Sequence, residues 1–446
     1  MIRTLALLLL FLLVSALALA APPRVEAAGL YTLRYAVQPA NGYHMGVSAY
    51  RDFFLLIPAA ADPGPGTVLP AEDLIRLARK STGSLDVSRA AEAVDRAIDE
   101  MAAAPPDPSL FSGFTGLAWV LDHLRGWFFD ENDDPGEEIA VTVHKALAHR
   151  WLEADLLAGV AGVGVYTLER LPRPGAEPCL RQVVARIGEL ARQGDGIASW
   201  PTPAERVPED RRAWFPQGYT FTGAAHGAAG IISVLAEAHA VRVETRPLLD
   251  HAVAWLLAQK MPAGSASIFP FETAEDGASP EAPLPRSTRL AWCHGDPGIA
   301  AALLGAARRV GEPAWEREAI AVALDAAARS PTETAIIDAC LCHGSSGLLH
   351  LFNRLYQATG DPSLGEAARF WFDRTLELRR PGAGVAGFRA WDNDAQGNIG
   401  WRTAPGFLTG AAGIGLTLLA AATPIEPAWD RVLQASIPAK RETVAS

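Results

Sequence analysis

The sequence predicts an all-α fold, an α/α toroid in which six to seven helical hairpins form two concentric layers. Three observations carry this prediction. A Gly-x-x-Gly recurs six times, at Gly113/Gly116, Gly159/Gly162, Gly227/Gly230, Gly295/Gly298, Gly344/Gly347 and Gly410/Gly413. Each pair opens a stretch that is apolar nearly all round a helical wheel, at 117–124, 163–171, 231–240, 299–310, 348–358 and 414–422. A helix of that kind is buried on every side. In three repeats a second helix follows at 247–259, 312–330 and 363–379, with one apolar and one polar face, the pattern of a helix that covers another. Buried-plus-covering pairs close into a ring, and glycine at each entry lets the backbone turn sharply and approach its neighbours. The spacing between copies runs from 46 to 68 residues, so the segments 172–222 and 260–290 are expected to be loops on one face of the ring.

The N-terminus reads differently. Met1-Ile2-Arg3-Thr4 precedes an unbroken apolar run from Leu5 to Ala21 that ends in Ala18-Leu19-Ala20-Ala21. A basic start, an apolar centre and a small-x-small end describe a secretory signal peptide cleaved after Ala20 or Ala21. The alternative is an uncleaved membrane anchor at the short limit of what spans a bilayer. Either predicts an extracytoplasmic or membrane-anchored protein. Residues 22–70 follow as a loosely ordered lead-in, with helices expected at 70–79 and 87–104. The toroid occupies 71–436, and 437–446 form a tail.

Composition narrows the function. Of 446 residues 49% are hydrophobic and 20% charged, enough for a large core and too apolar for global disorder. The net charge of −11, with no basic block, excludes a nucleic-acid-binding surface. Four cysteines in so long a chain make no disulfide framework.

Two of those cysteines stand directly before a His-Gly-x-x-Gly. Arg289-Leu290-Ala291-Trp292-Cys293-His294-Gly295-Asp296-Pro297-Gly298 is one occurrence, Cys342-His343-Gly344-Ser345-Ser346-Gly347 the other. In a toroid such turns converge at the centre of one face. Cys293, Cys342 and His343 are two soft ligands and an imidazole, a set that suits Zn²⁺ and leaves one tetrahedral position open. Buried cysteines acting as small hydrophobes are the bland alternative. Cys340 is expected to point the other way, into the core, and Cys179 to be structural. His226 precedes Gly227 in the equivalent place of its own repeat and should face the same cavity, where it can exchange a proton. Asp155 is either a helix-end polar residue or a cavity carboxylate, and Arg289 either an exposed arginine or a cavity cation. His144, His149, His239, His251 and His350 read as surface or satisfied core histidines. Asp392 and Asp394 among Phe388, Trp391 and Trp401 form the one acidic cluster that suggests glycan hydrolysis, and an aromatic-rich loop explains it equally. Gly159-x-x-Gly162-x-Gly164 lacks the preceding strand of a dinucleotide site.

Together these motifs resemble the lanthionine synthetase C-like family of lantibiotic cyclases and their eukaryotic relatives. The resemblance runs over about 109–421. It rests on Asp155 ahead of Gly159-Val160-Ala161-Gly162, His226-Gly-x-x-Gly, Arg289 ahead of Trp292-Cys293-His294-Gly295, and Cys342-His343-Gly344. It implies an α/α toroid with zinc on Cys293, Cys342 and His343. It further implies an active site lined by Asp155, His226 and Arg289, and intramolecular addition of a peptide cysteine to dehydroalanine or dehydrobutyrine. In that reaction Arg289 and His226 would serve the enolate and its proton, and Asp155 would orient His226 or hold the substrate. A dehydrated precursor peptide and a separate dehydratase are the implied partners, and the family works in the cytoplasm. Where bacterial cyclases often carry tyrosine after the first zinc cysteine, this chain has His294, as do the glutathione-binding eukaryotic members. His294 therefore joins the candidate catalytic residues. A zinc-containing protein that binds glutathione or another thiol without cyclase activity is the alternative reading.

Overall fold

The computed structural model of the protein describes residues 30–35, 51–56, 96–97, 107–125, 132, 134–148, 153–275, 287–393 and 398–438. It divides into two units, Met1–Arg96 and Ala97–Ser446. In the first, β1 (Leu30–Tyr35) and β2 (Arg51–Leu56) pair antiparallel, with Leu30 opposite Leu56 and Tyr35 opposite Arg51. The signal-like segment 1–21, the helix expected at 70–79 and nearly all of that expected at 87–104 lie outside the described residues.

The second unit is the toroid. Its inner layer is α1 (Phe114–His123), α3 (Val160–Arg170), α5 (Ala228–Ala240), α7 (Asp296–Val310), α9 (Ser345–Thr359) and α11 (Ala411–Ala422). All six begin at the residue after the first glycine of a pair. Its outer layer is α2 (Glu137–Ala148), α4 (Ala176–Leu190), α6 (Arg246–Ala258), α8 (Pro313–Ala328) and α10 (Pro362–Glu377). Successive inner helices pack side by side, and each outer helix packs on the inner helix before it. The sequence explains the division. In α5 nearly every position from Ala228 to Ala238 is buried. In α8 only Ala319, Val322, Ala323 and Ala326 are, an i, i+3, i+4, i+7 stripe that covers α7.

One expectation is corrected. The segment 172–222 is not simply a loop, because α4 occupies its first part and buries Cys179, Leu180, Val183 and Ile187 against α3. The rest of it and part of 260–290 fold together. The short hairpin β3 (Arg192–Gly194) and β4 (Ile197–Ser199) precedes β5 (Tyr219–Phe221), which pairs antiparallel with β6 (Glu272–Ala274), Phe221 opposite Glu272. Val207, Phe215 and Tyr219 make a small core there, with Trp214, Phe221 and Ala274 against it. Arg211 pairs with Glu272 at 3.1 Å, and Arg192 pairs with Glu275.

Backbone hydrogen bonds stitch the glycine turns to one another in ring order. Leu110 N–H donates to Leu157, Leu156 to Ala225, Ala225 to Cys293, Trp292 to Cys342, and Cys342 to Leu408, at 2.9–3.2 Å. This stitching gathers the chemically interesting turns. Away from them, the chain after α11 runs through a short 3-10 helix (Ala428–Leu433) that ties the inner layer together. Fully buried Asp430 hydrogen-bonds to His350 Nε2 at 3.1 Å and forms an ion pair with Arg354 Nε at 3.0 Å, both from α9. Arg431 donates twice to Glu169 of α3. Arg308 and Arg309 of α7 donate to the carbonyls of Pro438 and Ser436. Among the described residues no helix is long and apolar enough to cross a membrane.

Candidate metal centre and active site

The Cys293 turn curls back on itself so tightly that side chains are excluded at its glycines. A Cβ on Gly295 would stand 2.4 Å from Ala291 N and 2.6 Å from Arg289 O, and one on Gly298 would stand 2.0 Å from Trp292 O. All of these contacts are backbone, which cannot yield cheaply. The turn is also pinned from both sides, since the Cys293 carbonyl accepts from Ala225 N–H and Trp292 N–H donates to the Cys342 carbonyl. The indole N–H of Trp292 donates to the Leu433 carbonyl at 2.9 Å.

This arrangement brings Cys293, Cys342 and His343 together, with their sulfur and nitrogen ligand atoms all within 4.8 Å of one another. The Cys342 thiol donates to Cys293, which holds Cys293 well below the usual thiol range despite burial, and the same bond with burial pushes Cys342 well above it. Burial alone would lower His343, but its hydrogen bond to Cys293 and the negative charge there raise it. Two cysteine sulfurs and an imidazole within reach of one another are a donor set that fits a soft tetrahedral divalent ion.

Cys340 is buried, as its sequence position predicts, but its sulfur is not remote from the site. It accepts the His343 N–H at 3.4 Å, and its sulfur lies within 4.8 Å of His343 and Asp338 ligand atoms. Burial first, then the charge of Asp338, pushes its thiol far up. Asp338 escaped the sequence reading. It is 2% exposed, and its carboxylate accepts from Cys340 N–H at 3.1 Å and Trp391 N–H at 2.8 Å. The signal that could have found it is an acid five residues before the metal-ligand candidate His343, on the tight turn itself.

Asp155 closes its own turn and also pairs with His226. Its Oδ1 accepts from the N–H groups of Ala158 and Gly159 at 2.7 and 3.0 Å, closing the turn into α3. Its Oδ2 lies 3.0 Å from His226 Nδ1. The His226 ring in turn lies nearly parallel to His294, with centroids 5.6 Å apart and planes at 22°. His294 is held neutral to about 4, chiefly by burial, with the charges of His226, Arg289 and His343 acting in the same direction. Its Nδ1 is buried without a hydrogen-bond partner. Arg289 is exposed, and its positive charge is felt at Cys342, His343 and His294. The structure thus brings Asp155, His226, His294, Cys293, Cys342 and His343 into one cluster, and Arg289 is exposed beside it.

The remaining candidates are elsewhere. His350 is a buried histidine bonded to Asp430, His144 is exposed on α2, His239 and His251 are half-buried, and His149 lies outside the described residues. Cys179 packs inside α4 and receives the Thr167 hydroxyl at 3.7 Å. In the hairpin of β7 (Ala390–Asn393) and β8 (Ile399–Arg402), Trp391 and Trp401 stand opposite each other with ring centroids 5.4 Å apart. Asp392 there accepts from the Asn393 N–H at 2.8 Å, and Asp394 lies outside the described residues.

Comparison with known proteins matches residues 66–434 to the family described as lanthionine synthetase C-like protein. Among solved structures the chain is similar to a nisin cyclase, with a TM-score of 0.63 and 18% identity over 83% of this chain and 91% of that one. A sugar epimerase from a ruminal bacterium aligns at a TM-score of 0.44 and 9% identity, over 70% of this chain and 87% of that one.

Proposed function

The chain belongs to the lanthionine synthetase C-like family, and on that premise we propose that it is a zinc-dependent cyclase that joins a cysteine thiol to a dehydroalanine or dehydrobutyrine of a modified peptide. The observation that carries this reading is the meeting of Cys293, Cys342 and His343 on turns hydrogen-bonded, through Ala225 N–H to the Cys293 carbonyl, to those that present the Asp155–His226 pair. Those three donors would hold zinc, which when bound would lower the pKa of a substrate thiol and so make its sulfur nucleophilic near neutral pH.

The chain's own residues account for the rest. With its Nδ1–H donating to Asp155, His226 is fixed in the tautomer that leaves Nε2 free to accept a proton. The substrate thiol yields its proton to that nitrogen, and the sulfur electron pair forms the bond to the alkene β-carbon. The alkene π pair moves onto the α-carbon and carbonyl as an enolate, and the Arg289 guanidinium offers it positive charge from beside the cluster. His226 then returns the proton to the α-carbon, so that the product is an isomer of the substrate and His226 is restored.

Cyclisation leaves the mass unchanged and removes an alkylatable thiol, which makes the test direct. A dehydrated Ser/Thr/Cys peptide incubated with the metal-loaded protein is expected to lose its reaction with N-ethylmaleimide at constant mass. Retention of every thiol would overturn the cyclase reading. His294 directly after Cys293 favours a second reading, a glutathione- or thiol-binding protein without cyclase activity. Its signature is thiol binding at the metal with no cyclisation and no consequence of His226→Ala. A dehydrated precursor peptide and a separate dehydratase are the partners the first reading requires. The segment 1–21 places this chemistry outside the cytoplasm or at a membrane in our proposal, and N-terminal sequencing of the mature protein tests that.

A further inference from the structure

The two segments inserted between helices do more than connect them. β5 ends in Phe221, β6 begins one residue after Phe271, and the pairing of the strands sets both rings beside the Cys293 turn. Phe271 lies 4.3 Å from the His294 ring at 32°, and Phe221 lies 5.1 Å from it at 55°. The two phenylalanines meet edge to face at 5.4 Å, and Phe221 also reaches His226 at 6.1 Å. Together with the parallel His226–His294 pair these four rings form one continuous aromatic surface. It starts at the covalent neighbour of Cys293 and ends at the imidazole that Asp155 holds. Phe221 and Phe271 are half-buried, whereas Phe215 and Tyr219 behind them are buried. The backing is firm. Arg211 lies over Phe215 and Tyr219 while pairing with Glu272, and the Thr222 hydroxyl donates to the Pro270 carbonyl at 2.5 Å. Rings braced in this way and only half-buried lose little entropy on receiving an apolar group.

We propose that Phe221, Phe271 and His294 form a subsite for an apolar side chain, best an aromatic one, carried next to the reacting thiol. The substrate class is then a peptide cysteine with an apolar neighbour rather than a small hydrophilic thiol such as glutathione. This rests on reading Cys293, Cys342 and His343 as the thiol-binding metal centre. Its chemistry is recognition only, by ring–ring contact and burial of apolar surface.

The test uses the full chain loaded with cobalt(II), whose sulfur-to-metal charge-transfer band reports thiol binding without requiring turnover. Benzyl mercaptan is expected to bind about tenfold more tightly than 2-mercaptoethanol or glutathione, the scale of one aromatic contact. In Phe271→Ala and Phe221→Ala that preference is expected to disappear while 2-mercaptoethanol affinity stays put. Phe271→Leu, which keeps apolar bulk and is the safer variant for folding, is expected to retain part of it. Equal affinities in the wild type, or an undiminished preference in all three variants, overturn the subsite. If no thiol perturbs the band of a protein that holds cobalt, the thiol-binding centre itself falls and the subsite with it, a failure distinct from thiols that bind without preference.

Discussion

The hydrogen bond between Cys342 and Cys293 holds the Cys293 thiol below its usual range and, with burial, pushes that of Cys342 above it. Binding a divalent ion to both must release protons, so affinity falls as pH falls. Cys293→Ser and Cys342→Ala are each expected to reduce bound zinc from about one per chain to near zero, read by elemental mass spectrometry on folded protein. Asp338 acts at one remove. Its buried carboxylate fastens the Cys340 turn and Trp391 while its negative charge lies beside His343. Asp338→Asn is expected to weaken metal binding about 10- to 100-fold, the usual effect of losing such support for a ligand, and a chelator competition measures it. His226→Asn keeps the size of the side chain and loses the proton exchange, so kcat is expected to fall by about 10²–10⁴ with metal content unchanged. The donor residues were legible in the sequence because two Cys-His-Gly-x-x-Gly occurrences are rare together. Asp338 was not, since a single acid ahead of a turn is ordinary and its partner Trp391 lies far along the chain.

Among elements, the turn is the unit that matters most. Gly223 shows how closely two turns approach, for a Cβ there would stand 2.3 Å from Cys293 O and 2.7 Å from His294 Cα. Gly223→Ala must push the Cys293 turn away, and a loss of about 2–4 kcal/mol is expected with weakened metal binding. Gly415→Ala in α11 is the control, because its Cβ meets nothing within 4 Å and alanine favours a helix by about 0.5–1 kcal/mol. Differential melting with and without zinc separates the two. The helices behind these turns were legible in proportion to the contrast between their faces. The inner ones are apolar throughout and α6, α8 and α10 have clear stripes, so sequence periodicity located them. α4 carries its stripe on a helix otherwise rich in charge and opening with Glu177-Pro178, and it hid inside a segment that looks like an insertion.

At the scale of the whole toroid, the C-terminal segment acts as a tie between inner helices that are far apart in sequence. Burial alone would raise Glu169, but the hydrogen bond and charge of His123, joined by Arg431, outweigh it and hold its carboxyl low. A carboxyl whose folded pKa is depressed contributes stability that is present above the ordinary carboxylate range and lost as pH falls through the folded value. Glu169→Gln is therefore expected to cost about 1–2 kcal/mol at neutral pH, a modest figure because Arg431 is half exposed. The gap between the two melting curves should close in acid. A gap independent of pH would mean that the carboxylate charge contributes nothing to the tie.

The sequence by itself determined the layers, the glycine pairs at which inner helices begin (expected after the second glycine of each pair, observed three residues earlier after the first), and the residue types offered to a metal. Each of these is local. Periodicity records which face is buried, and the glycine pair records a turn that no side chain can enter. Tertiary structure decided the rest: which turns become neighbours, that Asp155 both closes its own turn and holds His226, and that Phe221 and Phe271 stand together against His294. Apart from Asp155 closing its own turn, those pairings join residues from about 23 to 73 positions apart. Nothing in the composition of either segment encodes its partner, because the partner is chosen by closure of the ring and by the β5–β6 register rather than by local preference.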